Sequence, residues 1–189
     1  MKKIIITVIV LVFVLVLAFG IIFFPELKQL YFEKYSSDYS QSGNSISASD
    51  FTVYDTNGKE KKLSDFVGKP IVVNFWATWC GYCVKELPDF EKIYQQYGND
   101  VSFLMVDLAD GSRETKKDAE KFIKTYSYTF PVYFDLDFSA SEAYSIRSIP
   151  MTLILDKEGN LVETHYGTMD GSDLKFYLDS MLEEKQTEE

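Results

Sequence analysis

Hydrophobic and polar residues divide the chain into an apolar N-terminal run, a polar spacer and a longer segment with alternating strand and helix patterns. Residues 4–24 are apolar apart from Thr7. At about 1.5 Å per residue, a helix of this length would cross the hydrocarbon core of a bilayer. Lys2 and Lys3 precede the run, and the positive-inside rule places residues 1–3 in the cytoplasm. We therefore predict a transmembrane signal anchor at 4–24 and an extracytoplasmic location for the rest of the chain.

A cleaved signal peptide is the alternative for this N-terminal run. Such peptides usually have an apolar region of about 7–15 residues and a small-x-small cleavage site, whereas the run here is longer and lacks a clear site. Residues 25–49 are predicted to be an extracytoplasmic stalk, because their Ser-rich second half cannot bury enough apolar surface to become ordered. Residues 184–189 are polar and are predicted to form a disordered tail.

The segment 50–183 has the pattern of one folded domain. Residues 51–54 alternate as an edge strand does, and Asn57-Gly58 is a hairpin turn signal. Residues 71–77 are apolar on both faces apart from Asn74, as a central strand is. Apolar spacing further predicts helices from the cysteines to Tyr97, at 114–126, at 139–144 and after Gly171-Ser172, and strands at 101–106, 132–134, 151–155 and 161–166. This order predicts an α/β fold with an N-terminal β-hairpin and a mixed central β-sheet flanked by helices.

The composition excludes several classes of function. The chain of 189 residues has a formal net charge of −10, and its only arginines are Arg113 and Arg147, so we see no basic face that could neutralise nucleic-acid phosphates. Two cysteines are too few for a disulfide framework. Zinc sites need about four ligands, and the only histidine, His165, is distant in sequence from the cysteines. We expect no nucleic-acid partner, no metal and no cofactor.

Cys80 and Cys83 form a CxxC motif where a buried strand gives way to a helix. Free backbone N–H groups and the helix dipole favour an anion at this position, and the pKa of a cysteine thiol is lowered there. We predict that Cys80 is exposed and attacks disulfides, and that Cys83 is buried and resolves the mixed disulfide. The alternative is a static disulfide, but it would close a loop of only a few residues and restrain little of the unfolded chain.

Two segments resemble a known family. Residues 74–88, NFWATWCGYCVKELP, resemble the active-site segment of the ResA/TlpA-like extracytoplasmic thioredoxins. Residues 148–152, SIPMT, resemble the loop of that family in which a cis-proline faces the cysteines. The resemblance covers about residues 51–182 and includes a helix–strand insert at 115–133. It implies a thioredoxin-like fold with a redox-active disulfide between the two cysteines.

The resemblance also implies a substrate-binding surface formed by Trp79, Ile149 and Pro150. Cis peptide bonds occur essentially before proline, and a cis bond before Pro150 would present the backbone groups of Ile149 to an extended polypeptide. Trp79 is adjacent to Cys80 in sequence, where we expect it to shield the site.

Glu86 is a further candidate for the catalytic machinery. Asn74 stands where ordinary thioredoxins carry a buried Asp that serves the second cysteine, and an amide cannot take a proton from a thiol. Glu86 is three residues after Cys83, so the two share a helix face. Spacing alone favours a solvated helix carboxylate, whereas the resemblance, which matches Glu86 to a Glu near the active site of the family, favours a catalytic role.

The resemblance implies an extracytoplasmic thiol–disulfide oxidoreductase with disulfide-bearing proteins as substrates. The candidate substrates are apocytochrome c, a methionine sulfoxide reductase and spore-coat proteins. Reduction of apocytochrome c would connect the chain to cytochrome c biogenesis. Because the secreted space is oxidising, such a reductase would need electrons from a membrane partner, for which the family suggests a CcdA- or DsbD-like protein.

Three alternatives remain for the function. The first is a dithiol oxidase, although Gly81-Tyr82 between the cysteines carries no cation to stabilise a thiolate, as a strong oxidant requires. The second is a non-catalytic chaperone or binding module that uses the same groove. A peroxidase is disfavoured, because the chain lacks the Pro-x-x-x-Thr-x-x-Cys spacing of peroxiredoxin-like proteins.

The apolar run at 4–24 yields a first testable prediction, which concerns membrane topology. We expect the full-length protein to sediment with membranes, and we expect protease added to intact cells or spheroplasts to remove the domain, because the run is long enough to remain as an anchor. Immunoblotting of cell fractions provides the measurement. A soluble, shortened protein would show instead that the run is a cleaved signal.

Overall fold

The computed structural model describes the backbone of residues 46–187 and the side chains of residues 46–182. The predicted anchor at 4–24, the N-terminal residues 1–3 and most of the predicted stalk lie outside this part of the chain. Among the described residues, no helix is both long enough and apolar enough to span a membrane.

The described residues form seven strands and four α-helices. In chain order these are β1 Thr52–Tyr54, β2 Glu60–Lys62, β3 Ile71–Trp76, α1 Gly81–Tyr97, β4 Ser102–Asp107, α2 Lys116–Tyr126, β5 Val132–Phe134, α3 Ser139–Ala143, β6 Met151–Leu155, β7 Leu161–Tyr166 and α4 Gly171–Thr187, with a short 3-10 helix at Leu63–Phe66. The elements predicted from apolar spacing are therefore present, with bounds that differ by a few residues.

The strands form one mixed sheet in the order β2-β1-β5-β4-β3-β6-β7. Strands β3, β4 and β5 are parallel, whereas β6 is antiparallel to β3 and β7 is antiparallel to β6. The prediction of a thioredoxin-like α/β fold with a mixed sheet is confirmed. The first strand was predicted to be an edge strand, but β1 lies between β2 and β5, because the hairpin turn at Gly58 returns the chain along its outer side.

Side-chain alternation along β3 divides the interior into two cores. All six residues of β3 are buried. Val72 and Trp76 belong to a core that also contains both cysteines and buried residues of α1, α2 and α4. Ile71, Val73 and Phe75 point to the opposite face, because successive side chains of a strand alternate. That second core contains Ala140 of α3 and Val53 of β1. The central strand predicted at 71–77 is thus covered on both sides.

The helix–strand insert predicted at 115–133 is formed by α2 and β5. Helix α2 begins at Lys116, two residues later than predicted, because Thr115 caps it and its side chain accepts a hydrogen bond from the N–H of Asp118. Glu114 consequently lies outside the helix, in the loop before it, and its side chain is fully buried.

Both ends of the domain extend beyond their predicted limits. Ser47 pairs with Asn160, and the N–H of Ala48 donates to the carbonyl of Gly159 at 3.0 Å, so the domain begins at 46 and takes in the last residues of the predicted stalk. At the other end, α4 continues to Thr187, past the predicted start of the tail at 184. Glu, Lys and Gln in that stretch are good helix formers.

Candidate active site

The two cysteines lie at the junction between β3 and α1 and form a disulfide. Cys80 is the N-cap of α1, and its Sγ accepts a hydrogen bond of 3.2 Å from the N–H of Cys83. Cys83 is fully buried. A sulfur at an N-cap faces the free N–H groups of the first helical turn, which stabilise a thiolate. This geometry fits the predicted order, in which Cys80 attacks and Cys83 resolves.

Cys80 is less accessible than the sequence predicts, since only 6% of its surface is exposed in the disulfide form. The loop before β6 accounts for part of this cover. The peptide bond between Ile149 and Pro150 is cis, as the resemblance implies, and the carbonyl oxygen of Ile149 lies 3.5 Å from Cys80 Sγ. The carbonyl of Pro150 is already occupied, because it accepts the N–H of Gly167 at 2.9 Å.

Aromatic side chains form the outer rim of the disulfide. Trp79 is 43% exposed and Tyr82 is 73% exposed, although both flank a buried pair of sulfurs. Both are sequence neighbours of the cysteines and offer exposed apolar surface that a polypeptide substrate could cover. Of the predicted substrate-binding residues, Ile149 contacts Cys80 Sγ through its carbonyl oxygen, Pro150 follows it through the cis bond, and Trp79 directly precedes Cys80.

Glu86 is buried, with only 3% of its surface exposed, so the expectation of a solvated carboxylate from spacing alone is wrong. Its Oε1 accepts a hydrogen bond of 2.8 Å from the amide of Asn74, and its Oε2 accepts one of 2.8 Å from the N–H of Met169. Burial raises the pKa of Glu86 to about 7, although the hydrogen bonds from Met169 and Asn74 act in the opposite direction. Glu86 therefore changes protonation state near neutral pH.

Asn74 holds this carboxyl in place. Its Nδ2 also donates to Thr152 Oγ1 at 3.1 Å, which links β3 to β6 beneath the active site. Asn74 lies on the same face of β3 as Val72 and Trp76, which is the face of the core that contains Cys83. Asn74, which stands where ordinary thioredoxins carry a buried Asp, thus donates a hydrogen bond to the carboxyl of Glu86.

The loop between β4 and α2 contributes residues that sequence reasoning missed. The guanidinium of Arg113 lies 3.6 Å from the centre of the Trp79 ring. Thr78, two residues before Cys80, donates a hydrogen bond of 2.8 Å to Glu114 Oε2. Neither contact had a local sequence signal, because more than thirty residues separate the partners. The one available cue was a charged pair, Arg113-Glu114, directly before a helix start.

A buried carboxyl pair lies beneath this loop. Asp107 and Glu114 are both fully buried, and among the described residues neither oxygen of Asp107 nor Oε1 of Glu114 has a hydrogen-bond partner. Burial, and after it the negative charge of Glu114, raises the pKa of Asp107 to about 9. Asp107 therefore keeps its proton at neutral pH. The described residues contain no group of three or more His, Cys, Asp or Glu side chains that could hold a metal ion.

Comparisons with known proteins identify the family to which the chain is similar. The model of the AhpC/TSA family matches residues 46–164. The thiol-disulfide oxidoreductase ResA of Geobacillus thermodenitrificans is 35% identical over 135 residues, which cover 71% of this chain and 75% of that protein. ResA of Bacillus subtilis is 36% identical over 132 residues, covering 69% and 72%. The solved exposed lipoprotein thioredoxin Etrx1 of Streptococcus pneumoniae has a TM-score of 0.61 at 34% identity, covering 69% of this chain and 98% of that chain.

The burial of Glu86 generates a prediction about pH dependence. We expect Glu86→Gln to slow disulfide exchange about 10- to 100-fold near pH 7, at the lower end of what general acid–base groups contribute. The inflection near pH 7 should disappear from the pH–rate profile, because a carboxyl with a pKa of about 7 has been removed. Stopped-flow exchange with a model disulfide between pH 5 and 9 measures both effects.

The substitution should leave the fold intact, because Oδ1 of Asn74 is buried with no partner among the described residues and can accept from the new amide. The matched control is Glu142→Gln, an exposed glutamate on α3 at the opposite face of the sheet. If Glu86→Gln and Glu142→Gln both keep the wild-type rates and pH profile, Glu86 takes no part in exchange.

The carboxyl pair generates a prediction about stability. The folded-state pKa of Asp107 is raised. The contribution of this group to the free energy of unfolding is therefore fully present below its unfolded-state pKa, and it is lost as the pH rises towards its folded-state pKa. An amide can donate to Glu114 without a proton from solution. We therefore expect Asp107→Asn to raise the free energy of unfolding at pH 8 by at least about 1.4 kcal/mol, the equivalent of one pKa unit, and by less at pH 4.

Urea unfolding at the two pH values measures this difference, with the exposed Asp100→Asn as the control that removes the same charge. A gain of equal size in Asp100→Asn would assign the effect to net charge. Loss of stability in Asp107→Asn at pH 8 would contradict a raised folded-state pKa for Asp107.

Proposed function

Because the chain belongs to the AhpC/TSA family and is a thioredoxin-like thiol–disulfide oxidoreductase of the ResA type, we propose that it reduces disulfides in proteins outside the cytoplasm. The observation that carries this proposal is the buried carboxyl of Glu86 in the core that contains Cys83. A carboxylate there opposes negative charge on a neighbouring thiol. The thiolate of Cys83 is then disfavoured, so the reduced pair lacks the strong thiolate stabilisation that makes an oxidant.

The reaction begins with Cys80. Its thiolate attacks one sulfur of the substrate disulfide, the substrate S–S bond breaks, and the second substrate sulfur leaves as a thiolate that takes a proton. Cys80 and the substrate are then joined as a mixed disulfide. The N-cap position of Cys80 supports this first step, because the N–H groups of the helix start stabilise its thiolate.

Cys83 completes the reaction. Its thiol loses a proton and attacks Cys80 Sγ, which breaks the mixed disulfide and releases the substrate sulfur that was bonded to Cys80 as a thiolate that takes a proton. The product is the Cys80–Cys83 disulfide, and two electrons have passed to the substrate. We assign to Glu86 the uptake of the proton from Cys83, since a group with a pKa of about 7 can accept and return a proton at neutral pH.

We further propose that residues 4–24 hold the protein in the cell membrane with its domain on the outer side. The secreted space is oxidising, so the disulfide formed in each cycle must be reduced again. A CcdA- or DsbD-like membrane protein is the electron donor that this arrangement requires. Apocytochrome c and an extracytoplasmic methionine sulfoxide reductase are the substrates that we propose to test first.

A trapping experiment tests the proposed reaction. In the full-length protein, Cys83→Ser removes the resolving thiol, so substrates should accumulate as mixed disulfides with Cys80 and should be identified by mass spectrometry after non-reducing electrophoresis. Cys80→Ser is the matched control and should trap nothing. We also expect a reduction potential below about −200 mV, in the range of reductants.

Three results would contradict the proposal. A potential near −120 mV would identify a dithiol oxidase. Retained function in cells that carry Cys80→Ser would identify a binding module in which the cysteines are dispensable. Equal amounts of trapped protein in the Cys83→Ser and Cys80→Ser variants would show that Cys80 is not the attacking thiol.

A further inference from the structure

Both arginines of the chain lie in loops that border the disulfide. Arg113 is in the loop between β4 and α2, with its guanidinium 3.6 Å from the Trp79 ring centre. Arg147 is two residues before Ile149, whose carbonyl oxygen lies 3.5 Å from Cys80 Sγ. Both arginine side chains are exposed. Each arginine thus places an exposed cationic group in a loop that borders the disulfide, in a chain with a net charge of −10.

The loop that carries Arg113 has a fixed conformation. Asp110 Oδ1 accepts hydrogen bonds from the N–H groups of Ser112 and Arg113 at 2.7 Å and from that of Glu114 at 3.1 Å. Glu114 in turn accepts the hydroxyl of Thr78 and lies against buried Asp107. The buried side chain of Glu114 therefore links this loop to the active-site segment through Thr78. Arg113 is exposed and lies against Trp79, the residue that precedes Cys80.

Acidic side chains cancel this positive charge only in part. Glu86, Asp107 and Glu114 are buried, and the raised pKa of Asp107 keeps it protonated at neutral pH. Asp110 is exposed, and backbone N–H groups together with the charge of Arg113 lower its pKa, so its carboxylate is ionised and offsets part of that charge. The guanidinium of Arg113, held against Trp79, remains a donor that an approaching polypeptide meets beside the residue that precedes Cys80.

We propose that this rim, formed by Arg113, Trp79 and Arg147, recognises acidic polypeptide segments, so that the preferred substrates carry Asp or Glu beside the disulfide that is reduced. This inference rests on the proposed reductase function and adds the substrate class. A guanidinium presents a planar set of donors that matches a carboxylate, and that of Arg113 lies against Trp79, the residue before the attacking Cys80. Charge complementarity of this kind raises the rate of productive encounter.

The test compares three fluorogenic peptides that contain the same intramolecular disulfide flanked by Glu, Gln or Lys. The full-length reduced protein should reduce the Glu peptide about three- to tenfold faster than the Lys peptide at low salt, with the Gln peptide between them. The preference should vanish near 1 M salt, where the Debye length is about 3 Å. Arg113→Glu should reverse the order, and Arg147→Glu should weaken it.

Lys121→Glu is the matched control, since it makes the same charge reversal at an exposed position on α2 and should leave the order of the peptides unchanged. Equal rate constants for the three peptides, or a preference that survives in both arginine variants, would overturn the proposed recognition. If the protein instead oxidises the reduced peptides with the same charge preference, the recognition surface stands and the reductase function fails. Absence of exchange with all three peptides in both directions would overturn both.

Discussion

The active site depends on the burial of one carboxyl group, that of Glu86. Its two oxygens bind the side chain of Asn74 on β3 and the N–H of Met169 just before α4. These contacts join the central strand, the helix that carries the cysteines and the chain segment leading into the last helix. A charged group in this position would be costly unless hydrogen-bonded, so the strand, α1 and that segment must keep their relative positions for the carboxyl to remain satisfied. The same requirement places a titratable group in the core that contains Cys83.

A second glutamate of α1 shows that burial alone does not decide the state of such a group. Burial raises the pKa of Glu91, but hydrogen bonds from Thr129, Gln95 and the N–H of Phe130 outweigh it, and the net effect lowers the pKa. Glu86 has fewer donors and is buried more deeply, so desolvation prevails and its pKa rises. Glu91 is therefore an ionised link between α1 and the start of β5. Glu86 is the carboxyl on this helix that can exchange a proton near neutral pH.

The sequence predicts the fold and the cysteine pair well because their signals are local or repeated. Strand β3 is apolar at nearly every position, and α1 follows it with helical spacing. The contact between Asn74 and Glu86 could not be predicted. Hydrophobic periodicity predicts which face of a strand or helix a residue occupies, but it does not predict which face of another element packs against it. Glu114 was placed inside a helix for a similar reason. The cap at Thr115 moves the helix start by two residues, and this small shift turns the side chain from a helix surface into the core.

The distribution of charge around the disulfide follows from which acids are buried. The chain has a net charge of −10, yet three acidic groups close to the active site, Glu86, Asp107 and Glu114, lie in the core. Asp107 has its pKa raised to about 9 and keeps its proton at neutral pH, and Glu86 is only partly ionised there. Asp107 and Glu86 therefore add little negative charge to the surface above them. At the surface, the ionised carboxylate of Asp110 offsets part of the charge of Arg113, whose guanidinium is held against Trp79. The protonation of the buried acids thus limits the negative charge that a substrate meets at the rim.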